Sequence, residues 1–339
     1  MTVRPIRVGI CGSGWVATAR HIPSFSRLNG VDVLAIYDRN GERARAVARR
    51  HKIPKAFSDL EKFLGSDLDV ISICTPPWAH AKIARAALDA GIHVFTEKPM
   101  AMDEAEARSM VDAARRGGRL LCVSHNFLFS RSAIRADRLI RTLGPVQYVF
   151  GIQMSSPKRR LPPWYRELPA GLLFDEAPHM LYTLEHYLGA MELEDVRTVG
   201  QIEPHPSVVE VRFRAEMAVA QVTMLMEAPL SEWHIALVGE HGVVDLDLFR
   251  DITVGLRNDG QHEARDILRT SATALWGHAI GFTTSGTRFV TGRQFWGHDE
   301  LISRFVDAVR TGAPSPVDPE QSVGVVRLMD EILVGLGER

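Results

Sequence analysis

The sequence predicts an α/β protein in two parts. Short apolar runs alternate with amphipathic stretches up to about residue 124, and a β-rich pattern takes over after Gly144. In the first part Ile6 to Cys11, Val31 to Tyr37, Val70 to Cys74, His93 to Thr96 and Leu120 to Val123 read as strands. Near-continuous apolar strands separated by helices form a parallel sheet covered on both faces. Ser58 with Glu61, and Asp103 with Glu106, have the spacing of capping boxes, which satisfy free N–H groups at helix starts. In the second part Val146 to Met154, Val208 to Phe213, Val219 to Met226 and Trp233 to Val238 read as strands of an antiparallel or mixed sheet, with Gly239-Glu240-His241-Gly242 as a turn. Helices are expected near Phe174 to Leu188, Asp299 to Val309 and Pro319 to Leu333, the last opened by Asp318-Pro319. Gly255 to Gly297 is the least legible segment.

A chain of 339 residues exceeds the size at which one core usually stops growing. The expected domains are residues 1–124 and 125–339, with the C-terminal helices able to return to the first. A 45% hydrophobic share, 24% charged residues and a net charge of -1 describe an ordinary globular protein. They supply no field to attract nucleic acid or an anionic membrane. The start has no signal-type apolar run, and no stretch approaches the ~20 apolar residues of a membrane span, so a cytoplasmic protein is expected. Cys11, Cys74 and Cys122 each end an apolar run, as small buried hydrophobes in a reducing compartment do, and no CxxC pair is present.

Gly12-Ser-Gly14-Trp15-Val16-Ala17 follows the first strand and opens a helical stretch, the context that a GxGxxG/A dinucleotide fingerprint requires. Gly12 allows the tight turn, Gly14 lets backbone approach a pyrophosphate, and Ala17 packs the helix on the strand. The helix start favours the phosphates. Asp38 closes the second strand at the distance expected of a ribose-binding carboxylate, which predicts a Rossmann domain that binds NAD. Arg39 keeps NADP open, since its guanidinium suits a 2′-phosphate; its plain alternative is a solvated charge.

Thr75-Pro76-Pro77-Trp78-Ala-His80 and Glu97-Lys98-Pro99 follow later strands, and Gly171-Leu-Leu-Phe-Asp175-Glu-Ala-Pro-His179 lies in the second part. With the fingerprint, and with the ending Phe305-Val-Asp-Ala-Val-Arg-Thr-Gly-Ala-Pro, these resemble the Gfo/Idh/MocA family over nearly the whole chain. The resemblance implies a doubly wound Rossmann domain followed by an α/β domain with a large open, mostly antiparallel sheet. The exposed face of that sheet builds homodimers or homotetramers, and the active site lies between the domains. It also implies that Lys98 sits near the nicotinamide, that Asp175 and His179 face it, and that a cis bond precedes Pro99. Departures from the family pattern are Ala170 and Ala177 for glycines, Tyr182 for an aspartate, and the segment Asn126 to Arg131.

Asp175 and His179 are four residues apart and share a helix face, which Tyr182 and His186 continue. Their plain readings are an N-cap for Asp175, with Pro178 in a first turn, and a hydrogen-bonded core histidine. Lys98 would otherwise be a surface lysine, and Trp78 a packing residue. The catalytic assignment is Lys98, Asp175 and His179; Asn126, Arg166 and Tyr182 are assigned to substrate. No metal site is expected, because one Asp/His pair without HExxH supplies too few ligands. The expected reaction moves a hydride between NAD(P) and a hydroxyl or carbonyl carbon of a sugar, polyol or cyclitol-like small molecule. Rival readings are a non-catalytic dinucleotide sensor, an imine or enone reductase, and an enzyme whose tightly held NAD serves a net non-redox reaction.

Overall fold

The computed structural model describes residues 4–199, 206–258, 260–292, 294 and 296–338. Up to His125 the elements run β1 (Ile6–Cys11), α1 (Ile22–Ser26), β2 (Val31–Tyr37), α2 (Gly41–His51), β3 (Lys55–Phe57), α3 (Leu60–Leu64), β4 (Val70–Ile73), α4 (His80–Asp89), β5 (His93–Thr96), α5 (Glu104–Gly117) and β6 (Leu121–Val123). Next come α6 (Arg131–Ile140), β7 (Val146–Met154), α7 (Leu172–Leu188), β8 (Met191–Val199), β9 (Val208–Ala215), β10 (Val219–Leu225), β11 (Glu232–Gly239), β12 (Gly242–Asp247), β13 (Ile252–Arg257) and α8 (Ala264–Val290). Helices α9 (His298–Thr311) and α10 (Pro319–Gly335) close the chain.

The described residues divide into two compact units. The first comprises the chain up to His125 together with His298–Arg327; the second comprises Asn126–Gly297 and the residues from Leu328 onward. In the first unit six parallel strands are ordered β3-β2-β1-β4-β5-β6. The strand order reverses at β1, and in such sheets ligands bind outside the C-terminal strand ends at this switch point. Gly12, Asp38, Thr75 and Glu97 all follow the C-terminal ends of their strands. The core beneath them includes Ile71, Ile73, Val94, Met110 and Leu121, joined by Val323 and Val326 of α10.

Capping is shifted from the sequence reading at one helix. Asp59, not Ser58, caps α3 and accepts from the Lys62 amide at 3.1 Å. At α5 Asp103 accepts from the Glu106 amide at 2.8 Å, but the Glu106 carboxylate returns to the Met102 amide at 3.2 Å instead of that of Asp103. Strand β3 was absent from the sequence reading; three residues at a sheet edge give almost no periodic signal.

In the second unit a mixed, mostly antiparallel sheet runs β13-β12-β11-β7-β10-β9-β8, with only β7 and β10 parallel. One face carries α7. Gly151 permits that approach, because an added Cβ would stand 2.9 Å from Val222 and 3.3 Å from Met180. On the other face Phe150 is 55% exposed and Ile152 is exposed beside it. Helix α6, strands β8, β12 and β13 and helix α8 add to the sequence reading; α8 fills most of the segment that was least legible.

Candidate active site

In the first unit the fingerprint loop is built as its sequence demands. Gly12 has φ +100°, and an added Cβ would stand 2.7 Å from the Cys74 carbonyl oxygen, so only glycine fits this turn. At Gly14 an added Cβ would meet nothing within 4 Å, leaving the open cradle that a pyrophosphate needs. Asp38 lies at the same edge. Its carboxylate accepts from the Ser13 amide at 3.0 Å, from the Ser13 hydroxyl and from the Asn40 amide at 2.9 Å. Arg39 is exposed and borders an open depression of about 750 Å³ with Asn40, Gly41, Glu42, Arg45 and Ser58. Trp15 and Trp78 are exposed, Val16 is partly so, and Ala17 is buried under the helix. Thr75 and Pro76 are partly exposed, Pro77 is buried, and the Thr75 hydroxyl oxygen is buried with no hydrogen-bond partner among the described residues. An open cradle and an orphaned hydroxyl beside it fit a dinucleotide.

His80 and Glu97, both expected at the cofactor cleft, have side chains that turn into the interior of the first unit. His80 is fully buried, its ring nitrogens 2.8 Å from the Thr75 carbonyl oxygen and 2.9 Å from that of Pro99, so it ties two loops together from behind. The Glu97 carboxylate turns inward. Its Oε1 lies 2.8 Å from His21 Nε2 and 3.4 Å from His298 Nε2, and its Oε2 accepts from the Lys98 amide at 3.3 Å. A π-helical turn at Ala17–His21, an irregularity common at functional sites, carries His21 into this position. Its Nδ1 lies 2.7 Å from the Ser72 hydroxyl. Lys98 is half-buried beside this network, and its bond to Pro99 is cis. Sequence reasoning missed His21 and His298, since nothing in the pattern links positions so far apart.

In the second unit α7 is buried on every side from Leu172 to Leu184, including Asp175, Glu176, His179, Tyr182 and Thr183. It starts at Leu172 after Gly171, so Asp175 stands inside the helix and is not its N-cap, and Pro178 lies in the helix interior instead of a first turn. His179 Nδ1 is 2.8 Å from the Tyr182 hydroxyl. That hydroxyl also accepts from the Phe127 amide at 3.2 Å and lies 3.5 Å from Asn126 Oδ1, while Asn126 Nδ2 donates to the Trp296 carbonyl at 2.8 Å. Phe127 and Trp233 close around the imidazole with ring centroids at 5.0 and 5.1 Å. The structure therefore brings Asn126, Tyr182 and His179 together, with Asp175 one turn before His179.

Glu176, beside Asp175, pairs with Arg159 and accepts from Ser155. Burial lowers the Arg159 guanidinium, against the opposing pull of the Asp175 charge. Arg159 was legible only as part of the basic run Lys158 to Arg160. Arg166 is not brought to this group: it lies on an exposed turn, its Nε donating to the Tyr165 hydroxyl at 3.3 Å.

Among the described residues one cluster, His21, Glu97 and His298, has metal-like composition. Direct hydrogen-bonding distances within it account for the arrangement without an ion.

These features define a dinucleotide-binding α/β protein whose second unit carries a tightly positioned imidazole. Residues 6–125 match the family described as "Oxidoreductase family, NAD-binding Rossmann fold". The chain is 31% identical over 206 residues to D-glucoside 3-dehydrogenase of Escherichia coli, covering 58% of each chain. It is 30% identical over 222 residues to UDP-N-acetylglucosamine 3-dehydrogenase of Acidithiobacillus ferrooxidans, covering 65% of this chain and 63% of that one. The chain thus spans about three-fifths of the length of these relatives. In fold it is similar to the WlbA dehydrogenase of Bordetella pertussis, determined with NADH and UDP-GlcNAcA, at TM-score 0.80 and 19% identity over 99% of this chain and 96% of that one.

Proposed function

We propose that the protein is an NAD(P)-dependent dehydrogenase or reductase acting on a CH–OH group of a sugar, polyol or cyclitol-like small molecule. The observation that carries this reading is the imidazole of His179, fixed through Nδ1 by a tyrosine hydroxyl that Asn126 and the Phe127 amide hold in turn. With Nδ1 carrying the hydrogen toward Tyr182, Nε2 is the atom that exchanges a proton with the substrate hydroxyl. The dinucleotide, when bound, accepts or supplies the hydride. Oxidation would break one C–H and one O–H bond of the substrate, and His179 would take the hydroxyl proton, with reduction the reverse. Lys98 stabilises charge developing on the oxygen. Asp175 supplies a negative charge near the imidazole and orients the hydroxyl. Asn126 and Tyr182 act through His179 as positioning residues.

NAD is the assigned cofactor, because the Asp38 carboxylate sits at the fingerprint turn, where it accepts from ribose hydroxyls and repels a 2′-phosphate. Arg39 and Arg45, which border the depression beside it, are the groups through which NADP would be admitted. The relatives named above as sugar 3-dehydrogenases support a sugar-like substrate. The open sheet face around Phe150 and Ile152 is assigned to homodimer or homotetramer formation. No described helix is long and apolar enough to cross a membrane, and three free, buried cysteines suit a reducing compartment, so the protein is assigned to the cytoplasm.

The test is absorbance at 340 nm during incubation with NAD and a panel of sugars and polyols, followed by single-turnover rates of variants. His179→Ala and Lys98→Ala should each lower the chemical rate by about 10²-fold or more. Asp175→Asn should lose rate while keeping the fold. Cofactor binding without turnover on any substrate, or wild-type rates in all three variants, would move the protein to the sensor class.

A further inference from the structure

Helix α8 contradicts the usual rule for a surface helix. It meets the sheet only along a thin seam: Gly277 on Val254, Gly281 on Ile252, and the Ser285 hydroxyl on the Asp251 carbonyl at 2.9 Å. Asp266, Gly277, Gly281 and Ser285 are its only buried residues. At ~100° per residue, the helix face opposite that seam carries Leu268, Ala272, Leu275, Ala279, Phe282, Gly286 and Phe289. Leu275 is 71% exposed and Phe282 74%, with Trp276 at 68% alongside. From Thr270 to Thr287 the helix has no Asp, Glu, Lys or Arg. A helix that is apolar away from its own core needs a cover.

We infer that α8 is a self-association element: its outer face pairs antiparallel with α8 of a second copy of this chain. The stripe itself identifies the partner. Large residues recur every seventh position at Leu268, Leu275, Phe282 and Phe289, and small ones between them at Ala272, Ala279 and Gly286. This is the alternation that lets large side chains of one helix enter gaps on another. The order reads the same in both directions about Ala279, so a twofold axis there sets Ala279 against Ala279 and Ala272 against Gly286, small residues that let the two helices approach closely while Leu275 of each copy packs beside Phe282 of the other. That self-complementarity is what an isologous interface demands. The exposed side chains offer on the order of 800 Å² per copy, the size of a stable interface. A groove of about 400 Å³ lined by Leu139, Ala272, Trp276 and Ile280 among others extends the apolar face. A membrane is the poorer cover, since α8, although 27 residues long, falls short of the hydropathy that spanning needs.

The test uses the full chain. By light scattering after gel filtration, the wild type should be a dimer or larger, and Leu275→Glu/Phe282→Glu should lose at least half of that mass. Phe150→Glu, on the open sheet face, should leave the α8 contact in place. Ala279→Cys should crosslink between copies on mild oxidation, and Thr287→Cys, on the flank of the helix, should not; the native cysteines are buried. A monomeric wild type at micromolar concentration would overturn the inference. So would equal crosslinking at both positions, an undiminished mass in the double variant, or a wild type that co-floats with anionic vesicles as a monomer.

Discussion

Glu97 bears a negative charge inside the first unit. Burial works to raise its carboxyl, but hydrogen bonds from His21 and His298 outweigh burial and hold it well below the usual carboxylate range. Burial pushes the His21 imidazole down from 6.5, against the raising effect of Glu97. A neutral His21 donates from Nε2 to Glu97 and accepts at Nδ1 from the Ser72 hydroxyl, so both of its ring nitrogens have partners. Both groups have folded values below their unfolded ones, so both contribute stability that is present at high pH and lost as pH falls. For His21 the loss begins as pH drops through about 6.5, and for Glu97 below about 4.5. Urea denaturation from pH 8 to pH 4 should therefore show a falling midpoint, and His21→Asn should lessen the fall between pH 6.5 and 5, the rest of which comes from other histidines lowered by burial, His80 and His125 among them. A wild-type curve that is level across that interval would show that His21 titrates as an exposed histidine does. At this scale the sequence was informative about identity and poor about direction. Gly12 makes the positive-φ turn expected of it, and Asp175 and His179 lie on one helix as their spacing predicts, because glycine turns and helix-face spacing are local. Glu97 and His80 turned inward because their partners come from distant parts of the chain.

At the scale of elements, helices with polar faces and ordinary caps were legible, and those that break these rules were not. Helix α8 resisted reading because its packed seam is made of glycine and serine while its outer face is apolar, which inverts the usual pattern. Helix α7 was found through its motif, but its start was placed too late, because Pro178 and Asp175 imitate a first turn. The true start follows Ala170 at φ +51° and Gly171 at φ +55°. Holding an alanine in the left-handed region costs roughly 1–2 kcal/mol, and glycine there would lose part of that advantage to unfolded-chain entropy, about 0.4–1 kcal/mol. Ala170→Gly should thus stabilise the protein by about 0.5 kcal/mol, read as a higher denaturation midpoint. A lower midpoint would mean that the methyl group of the buried Ala170 packs well enough to outweigh its backbone conformation.

At the scale of the whole molecule, the first unit is discontinuous in sequence. Its sheet ends at Val123, yet its core is completed by residues that follow the entire second unit. Phe305 of α9 meets Phe95 with ring centroids 5.5 Å apart, Val323 and Val326 of α10 join the core, and Glu320 pairs with Arg115 at 2.6 Å. The β-rich stretch that changes the sequence pattern near Gly144 marks an interruption of this unit, not its end. A chain cut after residue 125 would expose the faces of Phe95 and its neighbours that α9 covers, and a buried phenylalanine contributes about 3–5 kcal/mol. Domains are marginally stable by only about 5–15 kcal/mol, so losing Phe305 and both valines together removes most of that margin. Residues 1–125 alone should therefore lack a cooperative thermal transition and bind NAD weakly. Adding a peptide of residues 298–327 should restore both. Calorimetry on the fragment with and without the peptide decides it, and a fragment that melts cooperatively by itself would show that α9 and α10 are an accessory to the first unit instead of part of its core.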